Sequence, residues 1–146
     1  MLAKELPEHV PCYFDCTTKD LGDLMLPKIL SDGDTDQFVR FVPNEEMGIH
    51  HDKPIILMVD EFGKANPSVK NGMMRVMLER TMGTKKLHPD SIVFATTNLG
   101  TEGVGDLLMP HHRNRITVIR MKKPTATEWI EDFALDRKST RLNSSH

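Results

Sequence analysis

Two carboxylates and an amide stand at the ends of two apolar runs. Ile55-Ile56-Leu57-Met58-Val59 leads into Asp60-Glu61, and Ile92-Val93-Phe94-Ala95 leads through Thr96 and Thr97 to Asn98. An unbroken apolar run of this length suits a strand buried on both faces of a parallel sheet. Such a strand delivers the residues at its C-terminal end to the crevice where ligands bind. There, Asp60 would sit near Mg2+, directly or through a water, and help neutralise nucleotide phosphates. Glu61 would take the proton of an attacking water as general base, and the neutral amide of Asn98 would hydrogen-bond that water or the γ-phosphate. Each has an ordinary alternative, a solvated strand end for the acidic pair and a turn residue for the amide. Their coincidence at two neighbouring strand ends favours the hydrolytic half of an ATP site.

The other half of such a site is a phosphate loop of the form G-x-x-x-x-G-K-[ST], and the sequence contains none. Its one Gly-Lys pair, Gly63-Lys64, lacks the glycine five positions earlier and follows the acidic pair. The chain therefore reads as a piece of a longer protein, with negligible nucleotide affinity and no ATPase activity by itself. The segment His111-His112-Arg113-Asn114-Arg115 offers guanidinium groups before the last apolar run. An arginine reaching across a subunit boundary can stabilise a transferring phosphoryl group, an effect of about 10³–10⁵ in rate. A basic loop paired with nearby acids is the plainer reading, and the residues alone leave both open. Cys12 and Cys16, the only cysteines, share a strand face with Phe14 and read as small apolar core residues, because a structural zinc needs four ligands. The pairs His50-His51 and His111-His112 lack metal-ligand spacing and read as solvated loops.

The elements that position these groups alternate in type, which points to α/β architecture with a parallel sheet. Pro11–Thr17 reads as a short strand. Thr18–Leu30 reads as a turn and helix, with Leu21, Leu24 and Met25 on one face. Gln37–Val42 reads as a β-like side ribbon and Ile55–Asp60 as a central strand. Asn66-Pro67 opens the best-defined helix, with asparagine as N-cap and proline in the first turn. Val69, Met73, Val76 and Met77 form its apolar stripe, and Gly83 stands where a C-terminal cap is expected. Ile92 begins the second apolar strand, and Ile116–Met121 reads as a third. Thr125-x-x-Glu128 has capping-box form and opens a helix bearing Trp129, Ile130 and Phe133.

A chain of 146 residues fits one domain. It has neither a run of eighteen apolar residues nor a secretory leader pattern, so a cytoplasmic, non-membrane protein is expected. The segment Asp136–His146 resembles the translation of a sequencing adapter and is read as artefactual. It carries three basic residues and one acidic, so the remaining 135 residues have 16 Lys+Arg against 20 Asp+Glu and a formal charge of −4. That acidic balance, without a basic stripe studded with aromatics, argues against a nucleic-acid motor. The cluster Arg113, Arg115, Arg120, Lys122 and Lys123 is the one feature in its favour.

Ile55–Glu61 resembles a Walker B strand. With Asn66, Met77-Leu78-Glu79-Arg80, Ile92–Asn98 and Asn114-Arg115-Ile116 in register, residues 1 to about 134 resemble the AAA+ ATPases, nearest the MoxR-like and dynein-related (AAA_5-type) branch. The resemblance implies a P-loop NTPase core over residues 1–135, lacking its first strand and phosphate loop. It implies ATP and Mg2+ as ligands, a homo-hexameric ring and the remodelling of a protein partner. By position, Asp60 and Glu61 match the Walker B pair, Asn98 sensor 1 and Arg115 the arginine finger, with Arg113 the weaker candidate. It also implies that Leu2–Leu6 ends the helix that follows the phosphate loop. In the family's strand order the missing first strand lies between those at Ile92 and Ile116, so the isolated chain is expected to fold poorly or aggregate. The alternative is a non-catalytic AAA+-like ring subunit or protein-interaction module.

Overall fold

The computed structural model of the chain describes residues 2–33, 36–98 and 115–131. Residues up to Ile116 form one unit and those from Thr117 onward another. Arg113, His111, His112, Phe133 and the segment from Asp136 lie outside the described residues.

The first unit is mixed α/β. A short helix α1 (Leu2–Glu5) precedes strand β1 (Val10–Asp15). Strands β2 (Met25–Asp32) and β3 (Asp36–Pro43) follow, then β4 (Ile55–Asp60) and helix α2 (Pro67–Leu78). The short pair β5 (Thr81–Met82) and β6 (Lys85–Lys86) leads to β7 (Ile92–Ala95). Three of the strands form a parallel sheet in the order β1-β4-β7, with Val10 opposite Ile55 and Ile56 opposite Ile92. The apolar run of β4 puts it in the middle, where both its ladders are paired and Ile55, Leu57 and Val59 are buried.

Helix α2 covers this sheet because its sequence starts, faces and stops correctly. Asn66 Oδ1 accepts the Val69 amide at 3.0 Å, and Pro67 occupies the first turn, where no amide is needed. Val69, Met73 and Val76 recur on one face and are fully buried with Phe14, Leu24 and Leu57. Burial of such side chains contributes about 1.5–3 kcal/mol each. Gly72 permits the close approach, since a Cβ there would lie 2.4 Å from Leu24 Cδ1.

Three local expectations change. The helix ends at Leu78 with Glu79 as C-cap, and the left-handed residue beyond is Arg80 (φ 57) rather than Gly83. Arg80 is held there by its guanidinium, which donates to the carbonyls of His88, Pro89 and Ser91 at 3.2, 3.3 and 2.5 Å. Gly83 (φ 59) instead turns the β5-β6 hairpin, close against the Phe41 carbonyl. Thr18–Leu30 is not a helix either: a single 3-10 turn at Leu21–Asp23 passes into β2, which pairs antiparallel with β3 from Met25–Pro43 to Asp32–Asp36. Pro27 bars a helix at that point, and strand pairing with the ribbon read at Gln37–Val42 takes over. Finally, Ile116–Met121 carries no strand, because a strand exists only where a neighbour completes its ladder and no described strand pairs with it.

In the second unit, Thr125 and Glu128 make the expected capping box at the start of α3 (Ala126–Trp129). Trp129 and Ile130 are exposed there. Among the described residues no helix is long and apolar enough to cross a membrane.

Candidate active site

The sheet brings Asp60, Glu61 and Asn98 together at its C-terminal edge. Asp60 closes the central strand, and both neighbouring strands reach it. The Tyr13 hydroxyl, from β1, donates to Asp60 Oδ2 at 2.7 Å. The Thr96 hydroxyl, just past β7, donates to Asp60 Oδ1, which also accepts the Glu61 amide at 3.0 Å. The carboxylate therefore has a fixed plane and an outward edge. These bonds, Thr96 first and Tyr13 second, hold its pKa below the usual carboxylate value. Reciprocally, the bond to Asp60 pushes the Tyr13 phenol up to about 12.

Glu61 departs from strand geometry. Its backbone is left-handed, with φ 52 and ψ 38, an uncommon state for a residue other than glycine and one found at functional sites. The turn is held by Phe62 N–H to Thr96 O at 2.9 Å, which extends the β4-β7 ladder past the last strand residue. As a result the Glu61 carboxylate swings over the sheet edge. Asn98 Nδ2 donates to Glu61 Oε1 at 3.3 Å, and Lys64 pairs with Oε2. Base candidate and amide candidate are thus in direct contact. Arg115 lies in an exposed turn beside Ile116, which packs against the core of the same unit.

Asp15, opposite Asp60 in the register, is a third carboxylate at this edge. It is occupied locally: Thr17 donates both its amide, at 2.8 Å, and its hydroxyl, at 2.7 Å, to Asp15 Oδ1. Among the described residues no three metal-ligating side chains converge. Mg2+ in nucleotide sites draws on one or two carboxylates and otherwise on phosphates and water. Asp60, with an acceptor position left on Oδ2, fits that limited demand. Cys16 is buried and Cys12 half-buried, both free thiols raised in pKa by burial, while His50 and His51 have their rings 4.1 Å apart.

Sequence reasoning missed Tyr13, Thr96 and Lys64. Thr96 carried a signal, being a hydroxyl residue between the strand and Asn98. Tyr13 carried none, because its meeting with Asp60 depends on the offset between two strands 45 residues apart in register. A scan against protein-family models finds no match to this chain, and a search of curated proteins finds no relative.

Proposed function

We propose that these residues are the hydrolytic half of an AAA+ ATPase of the MoxR-like kind, built on a P-loop NTPase core and driving the remodelling of a protein partner. The observation that carries this reading is the convergence at one sheet edge of Asp60, fixed from both sides, and Glu61, in contact with Asn98. Parallel order β1-β4-β7 and the resemblance of Ile55–Glu61 to a Walker B strand support it.

Each residue has a distinct task in this reading. Asp60 holds Mg2+ through its outward edge or a water, the ion supplying charge neutralisation of the phosphates. Glu61 accepts the proton of the attacking water. Asn98 orients Glu61 and that water, and Arg115 serves a neighbouring subunit of a ring as arginine finger. The phosphate loop must come from outside these residues.

The test is Glu61→Gln in the protein that joins these residues to an in-frame G-x-x-x-x-G-K-[ST] segment. The expected result is a fall in kcat of about 10²–10⁴-fold with nucleotide binding retained. Turnover that survives the change would remove Glu61 from the role of base, whereas no turnover in the unaltered protein would favour the non-catalytic ring subunit.

A further inference from the structure

An ionised carboxylate offers about four acceptor positions, two on each oxygen. On Asp60 the chain itself fills three of them. Oδ1 takes the Thr96 hydroxyl and the Glu61 amide, and Oδ2 takes the Tyr13 hydroxyl at 2.7 Å. Thr96 and Glu61 belong to the segments that carry the rest of the candidate site. Tyr13 comes from β1, on the opposite side of β4.

Strand register brings it there. Tyr13 pairs with Met58, and Asp60 follows Met58 on the same face of β4, because side chains alternate along a strand. The phenol spans the remaining offset. Phe14, next in the chain, points to the other face and is fully buried, whereas the Tyr13 ring is 55% exposed. Packing therefore does not require a tyrosine here, and phenylalanine would fill the same space. The hydroxyl is the part of the side chain with a defined partner, and that partner is the carboxylate assigned to Mg2+. Without it, Asp60 would be tied through Oδ1 alone and Oδ2 would present two equivalent positions. With it, a single acceptor position remains.

We infer that Tyr13 is a positioning residue for Mg2+ bound with a nucleotide, its hydroxyl fixing the direction in which Asp60 presents its one remaining acceptor position. Groups that hydrogen-bond a metal-ligating side chain orient it, and losing one costs about 10–100-fold in metal affinity or activity. Tyr13 acts through Asp60. This role rests on the ATPase reading, which supplies its ligand.

Tyr13→Phe tests it in the protein that joins these residues to the phosphate-loop segment, since the change removes one oxygen from an exposed side chain. Calorimetry measures ADP affinity with Mg2+ in excess and again in EDTA. Mg2+ tightens ADP binding in the unaltered protein, and the variant is expected to lose about tenfold of that tightening. Its affinity in EDTA is unchanged, which a folding defect would not allow. Asp60→Asn removes the same tightening, and adding Tyr13→Phe to it changes nothing further, because two residues that act through one interaction are not additive. A variant that keeps its tightening by Mg2+ overturns the role of Tyr13 and leaves the ATPase reading standing. Equal weakening with and without Mg2+ does the same, as does an undiminished effect of Tyr13→Phe beside Asp60→Asn. An unaltered protein that binds no ADP, or binds it without regard to Mg2+, overturns the ATPase reading and the role of Tyr13 with it.

Discussion

The parallel sheet and the β2-β3 hairpin are both built from apolar strands, yet one hides its side chains and the other displays them. Ile55, Leu57 and Val59 are buried because β4 has a strand on each side and α2 across its face. Ile29 and Val39, cross-strand partners of the same character, stay 70% and 54% exposed. Apolar content therefore sets what a strand can bury, and its neighbours decide whether it does. The polar groups differ in the same direction. At the sheet edge, Asp60 is answered by hydroxyls from both sides, while on the hairpin Lys28 faces Arg40.

The contrast is broken most visibly at Leu57. Leu57→Ala empties a fully buried position at a cost of about 2–5 kcal/mol, against a total of about 5–15 kcal/mol for a domain. The sheet already ends at β7, which pairs with β4 on one side and with no described strand on the other, and Phe94 there is 37% exposed. Loss of soluble, protease-resistant protein is the expected result, read by limited proteolysis of the protein that joins these residues to a phosphate-loop segment, beside its unaltered form.

The polar tie at the sheet edge gives a second, intermediate effect. Tyr13 is the chain's only tyrosine, so tyrosinate absorbance reports it alone. Its midpoint is expected at about 12, falling toward the ordinary value of 10 in Asp60→Asn. The raised phenol favours the folded state below pH 10 and ceases to do so as pH climbs through about 12. Asp60 acts in the opposite sense: its depressed pKa favours folding above the ordinary carboxylate range, and that is lost as pH falls through the folded value.

The smallest effect belongs to the hairpin. Ile29→Ser removes an apolar side chain that is 70% exposed and should change stability by less than about 0.5 kcal/mol. Equal protease resistance of this variant and the original chain would confirm that the hairpin face contributes little to the monomer.

What was legible in the sequence follows the same division. The apolar run of β4, the cap and stripe of α2 and the run of β7 each state one local choice that the fold then uses. Asp60, Glu61 and Asn98 were legible because all three sit at the ends of such runs. The segment entering β2 was not, since Leu21, Leu24 and Met25 mimic a helix stripe over the residues that form a 3-10 turn. Pro27 was the contrary signal. Ile116–Met121 has the composition of a strand but lacks a paired neighbour among the described strands, and pairing is not a property of the segment itself. Tyr13 shows the general limit: its chemistry is local, but its partner is chosen by strand register.

The left-handed backbone of Glu61 bears on how this position changes over generations. Glycine would relax that turn and leave the sheet edge intact, while removing the carboxylate that meets Asn98 and Lys64. Selection for yield or solubility alone would therefore drift toward glycine at this position and accumulate well-folded, inert descendants.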